Sequence, residues 1–196
     1  MPPIPPLTKA LMLICTALFC LNQFVRLDIF FALWPIQSGL FWPWQPVSYG
    51  FLHGSLFHLF FNMLGLWMFG SELERLWGRT RYWHFLLASL LAAAATQLLV
   101  TWLTQSNVPT VGASGALYGL LLAYGLLFPN RIIMPLFPPI PMKARTFVVV
   151  FGLLELLLGL YGGGGVAHFA HLGGMLGGFL MIRYWRGQAP FAGRRR

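Results

Sequence analysis

The sequence predicts an all-α membrane protein: a bundle of six transmembrane helices with both termini in the cytoplasm. Three observations point there: the composition, the spacing of the apolar segments and the placement of the cations. Of 196 residues, 58% are hydrophobic and only 9% are charged, whereas soluble domains carry about 25% charged residues. A spanning helix needs about 20 mostly apolar residues. Six segments approach that length, at roughly 8–25, 50–70, 82–104, 113–128, 146–161 and 166–184. None alternates with a period of two, which argues against a barrel. Twelve of the 13 cations fall on one side: Lys9, then Arg75, Arg79 and Arg81, then Arg131, Lys143 and Arg145, then Arg183, Arg186 and Arg194 to Arg196. Only Arg26 occupies an alternate loop, and the positive-inside rule assigns the crowded side to the cytoplasm.

The net charge of +9 raises the question of nucleic acid. No basic stripe runs along a soluble face, so no nucleic-acid partner is expected. The partner is the lipid bilayer, and the expected location is a bacterial inner (plasma) membrane as an integral multi-pass protein. Residues 1–196 read as a single membrane domain.

The first segment carries one Lys and several prolines ahead of an apolar run that continues past Cys20. No small-x-small cleavage site follows, so a retained helix is expected rather than a signal peptide. Cys15 and Cys20 are five residues apart and do not stack on one helix face, so no disulfide is expected between them. The long connection 26–49 combines Trp34, Trp42 and Trp44 with Pro35, Pro43 and Pro46, as suits an interfacial loop. The second segment holds His53, His58 and Asn62, with His58 expected about eight residues in, ~12 Å along the axis. His84, at the cytoplasmic start of the third, needs no special role.

The fourth segment is short. Its 16 residues span roughly 24 Å against a hydrocarbon core of about 30 Å. If Pro129 marks its inner end, Ser114 begins below the outer surface, and the loop 105–112 dips into the protein. Irregular backbone at that depth is tolerated only when buried in protein or lining a wet cavity. The fifth segment carries Glu155, and the sixth carries His168 and His171.

Polar groups within the bilayer are expensive, which makes them informative. His58 and Asn62 are four apart, as are Ser114 and Tyr118, so each pair shares a helix face. Gly115 and Gly119 form one small-xxx-small stripe, and Gly174 and Gly178, in line with His171, form another. Facing stripes of this kind allow close helix approach and would bring Ser114 to His171. A serine beside a histidine base supports acyl transfer. The Ser114 N–H at its helix start, with His58 and Asn62, would form an oxyanion hole. Glu155 is the one intramembrane carboxylate, its partner is not evident, and a Ser–His dyad is therefore favoured. Taken singly, Ser114 reads more readily as helix glue than as a nucleophile, His53 and His168 as structural or water-organising groups, and Glu155 as a structural or gating residue rather than a base. A metal site of His53, His58, His168 and His171 lacks a nearby Cys or a confidently placed acid, and no metal is expected.

Three motifs together, HxxxN (His58, Asn62), GASGA (112–116) and AHxxGxxxG (Ala170 to Gly178), resemble the rhomboid intramembrane serine proteases. Segment number, orientation and motif order resemble that family along nearly the whole chain, which implies a rhomboid-like bundle without an appended soluble domain. The resemblance implies Ser114 as nucleophile, His171 rather than His168 as base, and His58 with Asn62 at the oxyanion. It implies that Tyr118 packs on the imidazole, with Gly112, Gly174 and Gly178 in support, no cofactor, and transmembrane proteins as substrates. The aromatic–Arg pair common in the first loop of that family is Trp44-Gln45 here, which puts the usual arginine contacts in question. A non-enzymatic, derlin-like chaperone for client helices and a small transporter are the rival classes. No internal repeat favours the transporter.

Overall fold

The computed structural model of the chain describes residues 3–136, 139–161 and 167–188. The cations Arg194 to Arg196 lie outside the described residues. The described chain is mostly helical. Helix α1 (Pro6–Asn22) starts with proline, which has no N–H to leave unpaired in a first turn. The next two N–H groups, of Leu7 and Thr8, donate to the Glu74 carboxylate at 2.9 and 2.7 Å. The Thr8 hydroxyl donates to the same carboxylate. A negative group at a helix N-terminus complements the aligned peptide dipoles. Glu74 thus caps α1 from across the bundle.

Helix α2 (Leu56–Gly65) continues through a π-helical turn (Leu66–Gly70) into α3 (Ser71–Thr104). Two boundaries differ from expectation. The second segment begins at Leu56 rather than near residue 50, because the Ser55 side chain caps the helix by accepting from the His58 N–H at 3.1 Å. His58 therefore sits in the first helical turn, not eight residues in. The third segment does not wait until residue 82. Gly78 alone, at φ 75° and ψ 163°, reverses the chain inside α3. Side-chain-bearing residues rarely adopt that conformation. The returning helix brings Tyr82 against Gly70 and within 3.3 Å of the Thr8 hydroxyl.

Helix α4 spans Ser114–Leu127. A two-residue antiparallel ladder, β1 (Ile132–Ile133) with β2 (Met142–Lys143), precedes α5 (Ala144–Tyr161), and α6 is His168–Trp185. By length and composition, the helical run Leu56–Thr104 and α5 are able to cross a membrane, while α1 and α4 are shorter apolar helices. Cys15 is buried, Cys20 is exposed, and both are free thiols.

Helix α6 lies between α3 and α4, and its glycines explain how. Gly173 and Gly177 face α3, where added β-carbons would collide with Thr96 and Ala92. Gly174 and Gly178 face α4: a β-carbon on Gly174 would strike the Gly115 carbonyl, and one on Gly178 would lie 3.1 Å from the Gly119 Cα. These are backbone-to-backbone contacts, which no rotamer change can relieve.

The loop after α1 is tied to the segment before α4. Leu33 and Thr110 exchange backbone hydrogen bonds of 2.9 and 3.0 Å, and the Gly112 N–H donates to the Tyr49 carbonyl at 2.9 Å. Gln45, fully buried, organises this loop: its amide oxygen accepts from the Trp34 N–H, and its amide nitrogen donates to the Leu40 carbonyl at 3.0 Å. Gln45 thus holds the loop with a neutral amide.

Gly174→Val should lower stability by about 1–3 kcal/mol or more, as overpacking does where the obstacle cannot move. Gly152→Ala, whose added carbon would meet the Met175 methyl at an ordinary 3.5 Å, should leave the midpoint unchanged or raise it. Thermal unfolding of both variants in detergent checks the contrast.

Candidate active site

The site is built where α4, α5 and α6 meet. Ser114 is the first residue of α4, so its own N–H has no intrahelical acceptor. Gly112, two residues earlier, has φ 129°, a backbone conformation that favours glycine. It also gives way to His58: a β-carbon at Gly112 would lie 2.6 Å from the His58 Nε2 and 3.5 Å from the Ser114 Oγ. The first turn of α2 and the first residue of α4 therefore share one level, although His58 is shallower in its helix than expected.

The close packing of α4 on α6 sets the Ser114 Oγ 2.8 Å from the His171 Nε2. Tyr118, one turn below Ser114, stacks on the His171 ring with centroids 4.2 Å apart and planes 7° from parallel. Its hydroxyl donates to the Glu155 Oε1. The other carboxylate oxygen, Oε2, lies 2.9 Å from the His171 Nδ1 and 2.7 Å from the His168 Nδ1. A carboxylate only accepts, so this network places a proton on each Nδ1. His171 is then left with a lone pair on Nε2, facing the serine hydroxyl. Both Glu155 and His171 are buried.

A cavity of about 770 Å³ adjoins these groups, and Gly54, Ser55, His58, Ser114, His168 and His171 all contribute to its wall. Asn62 is buried and is not brought to this wall. Its Nδ2 donates to the His58 carbonyl at 2.8 Å, one turn back on the same helix. His53 is buried and packs edge-on against His58, with centroids 5.1 Å apart. Gly174 and Gly178 lie on the α4–α6 contact, one and two turns beyond His171. His84 is exposed and away from the site.

The role of Glu155 is what sequence reasoning missed. A signal was available: only residues 162–167 separate α5 from α6 in sequence, which makes the two helices neighbours and brings late residues of α5 towards early ones of α6. Glu155 stands six residues before the end of α5, and His171 three after the start of α6. Glu155, His168 and His171 are also a grouping of metal-ligand types, with ligand atoms within 4.8 Å of one another. Their spacing is that of hydrogen bonds, and the protons on the two imidazoles complete it.

Such an arrangement is suited to nucleophilic acyl transfer, and comparison with known sequences agrees. Residues 41–187 match the family profile described as Rhomboid domain. The protein named Rhomboid protease GlpG of Serratia proteamaculans is 30% identical over 185 residues, covering 92% of this chain and 62% of that protein. Its namesake in Yersinia enterocolitica is 29% identical over 191 residues, with the same coverage. The Arabidopsis thaliana protein named RHOMBOID-like protein 4 is 36% identical over 138 residues, covering 70% of this chain and 33% of that protein. The chain thus spans less than two thirds of the length of these relatives. With the match extending from the loop before α2 to just past α6, and so spanning Ser114, His58, His168, His171 and both glycine stripes, the chain belongs to the rhomboid family.

Proposed function

We propose that the protein is an intramembrane serine endopeptidase that cleaves transmembrane segments of other membrane proteins. The observation that carries this reading is the 2.8 Å contact between the Ser114 Oγ and the His171 Nε2 beside an accessible cavity. The name Rhomboid protease, carried by the bacterial relatives, supports it. The Ser114 oxygen attacks the scissile carbonyl while its proton passes to the His171 Nε2. The resulting oxyanion is met by the Ser114 N–H and the His58 ring, while Asn62 supports the oxyanion side from behind, through its hydrogen bond to the His58 carbonyl. Collapse breaks the C–N bond, His171 returns the proton to the departing amine, and an acyl-enzyme ester remains on Ser114. Water, deprotonated by the same imidazole, then releases the acid. No cofactor enters this chemistry.

The membrane setting is part of the proposal. Residues 1–196 form a single membrane domain of six spans with both termini cytoplasmic, in a bacterial inner membrane. The outward surface of α5 supports it: Val149, Val150, Leu153, Leu154, Leu157 and Leu160 are all exposed. Lipid would cover such a face at no cost, whereas water would not. The substrate is a helix that unwinds near its outer end, because a carbonyl engaged in helical hydrogen bonds does not readily reach Ser114.

Ser114→Ala and His171→Ala should each abolish cleavage of single-span substrates in proteoliposomes while leaving the protein folded; cleavage persisting in purified Ser114→Ala protein would overturn the reading. A fluorophosphonate probe should label wild type at Ser114, as it would not label a helix-binding chaperone. Loss of one oxyanion donor lowers kcat by roughly 10²–10³-fold. His58→Ala should approach that figure, and Asn62→Ala should fall short of it, because its Nδ2 already donates to the His58 carbonyl. Turnover of the two purified variants, measured side by side, checks the order.

A further inference from the structure

We propose that Glu155 is the positioning residue of the catalytic histidine: it holds the Nδ1 proton of His171 and so keeps Nε2 free to take the proton of Ser114. This rests on the proteolytic reading above and adds to it a third side chain, from a third helix.

The geometry is specific. The Glu155 Oε2 lies 2.9 Å from the His171 Nδ1, on the opposite side of the ring from the 2.8 Å contact with Ser114. A neutral imidazole carries one proton on one of two nitrogens. With the proton on Nε2, the ring would point an N–H at the serine oxygen and could not act as its base. Hydrogen bonding to a carboxylate selects the other tautomer and fixes the ring plane. The same plane is held from one face by Tyr118. When Nε2 takes the serine proton, the imidazolium lies directly against a negative charge, in surroundings where such an interaction is weakly screened.

The carboxylate is itself held. Tyr118 on α4 donates to Oε1, and His168 on α6 donates to Oε2 at 2.7 Å, so three side-chain donors converge on one buried group. Buried carboxylates are retained in apolar segments only where they are paired and hydrogen-bonded. Glue between helices would satisfy that condition equally well. The difference lies in which atom receives the bond: anchoring α5 needs only some donor on the bundle, and His168 and Tyr118 suffice. The bond to the His171 Nδ1 is the one that bears on the reaction.

The test compares wild type, Glu155→Gln, Glu155→Asp and Ser114→Ala in proteoliposomes, with kcat and KM read separately. General-base assistance contributes typically 10²–10⁴-fold. Glu155→Gln should therefore lower kcat by about 10²-fold or more with KM held, and slow fluorophosphonate labelling of Ser114 in parallel. Glu155→Asp, which keeps the charge, should retain more activity than Glu155→Gln at equal folded fraction. In wild type, the proton between His171 and Glu155 should give a far-downfield imidazole resonance that Glu155→Gln lacks. Wild-type kcat in Glu155→Gln, or equal losses in the Gln and Asp variants that track loss of folded protein, would overturn the proposal. Should Glu155→Gln not fold, absence of the downfield resonance in wild type would overturn it alone. If wild type labels at Ser114 and cleaves while Glu155→Gln matches it, only the positioning role falls. If wild type neither labels nor cleaves, the proteolytic reading falls and this inference with it.

Discussion

The approach of α4 to α6 is the constraint on which the site depends. Two helices with ordinary side chains between them sit 8–10 Å apart. Here Gly115 and Gly119 meet Gly174 and Gly178 with backbone against backbone. That closeness is what lets a serine side chain, only two heavy atoms long beyond its Cα, reach an imidazole on the neighbouring helix. The second pair of α6 glycines, 173 and 177, admits α3 on the adjacent side. One helix is thereby seated against two others with little freedom to rock, and the serine–histidine distance is a property of the bundle rather than of either side chain.

The loop ahead of α4 completes what the glycines begin. Ser114 could not face both His171 and His58 unless the chain entered the helix from the correct direction. Gly112 sets that direction through its positive φ, and the Tyr49 carbonyl fixes its N–H. The Leu33–Thr110 bridge and the Gln45 amide hold the first loop in register with it. Because the helix begins at Ser114, its N–H stays free of an intrahelical acceptor, as the proposed oxyanion would require, where a continuous helix would have engaged it.

Much of this was readable from residue spacing, and the failures have definite physical causes. Helical periodicity paired Ser114 with Tyr118 and aligned His171 with its glycines, because positions four apart share a face whatever the tertiary context. Apolar content misplaced the start of α2, since the run continues through residues 50–55 while the Ser55 cap decides where helical hydrogen bonding begins. It likewise expected a connection near Arg75 to Arg81, where a single residue, Gly78, suffices. For Glu155 the short α5–α6 connection pointed towards α6, but its full set of partners was hidden for a different reason. Its contacts cross between three helices, and nothing in the spacing along α5 says which neighbour its carboxylate faces.

That cross-helix network also couples two properties that are usually separate. On α5 the buried residues are Ala144, Phe147, Val148 and Glu155, so beyond Val148 the one buried side chain is the carboxylate. The remainder of that half presents leucines outward. Apolar packing therefore dominates the first half of α5, and the second half adds hydrogen bonds with Tyr118, His168 and His171 to its contacts with Phe169 and Met175. A buried carboxylate left without donors is strongly unfavourable, so displacement of this half requires either that the group be neutralised or that water follow it. A single carboxylate thus both ties α5 to the bundle, through Tyr118 and His168, and meets the Nδ1 of the histidine beside Ser114.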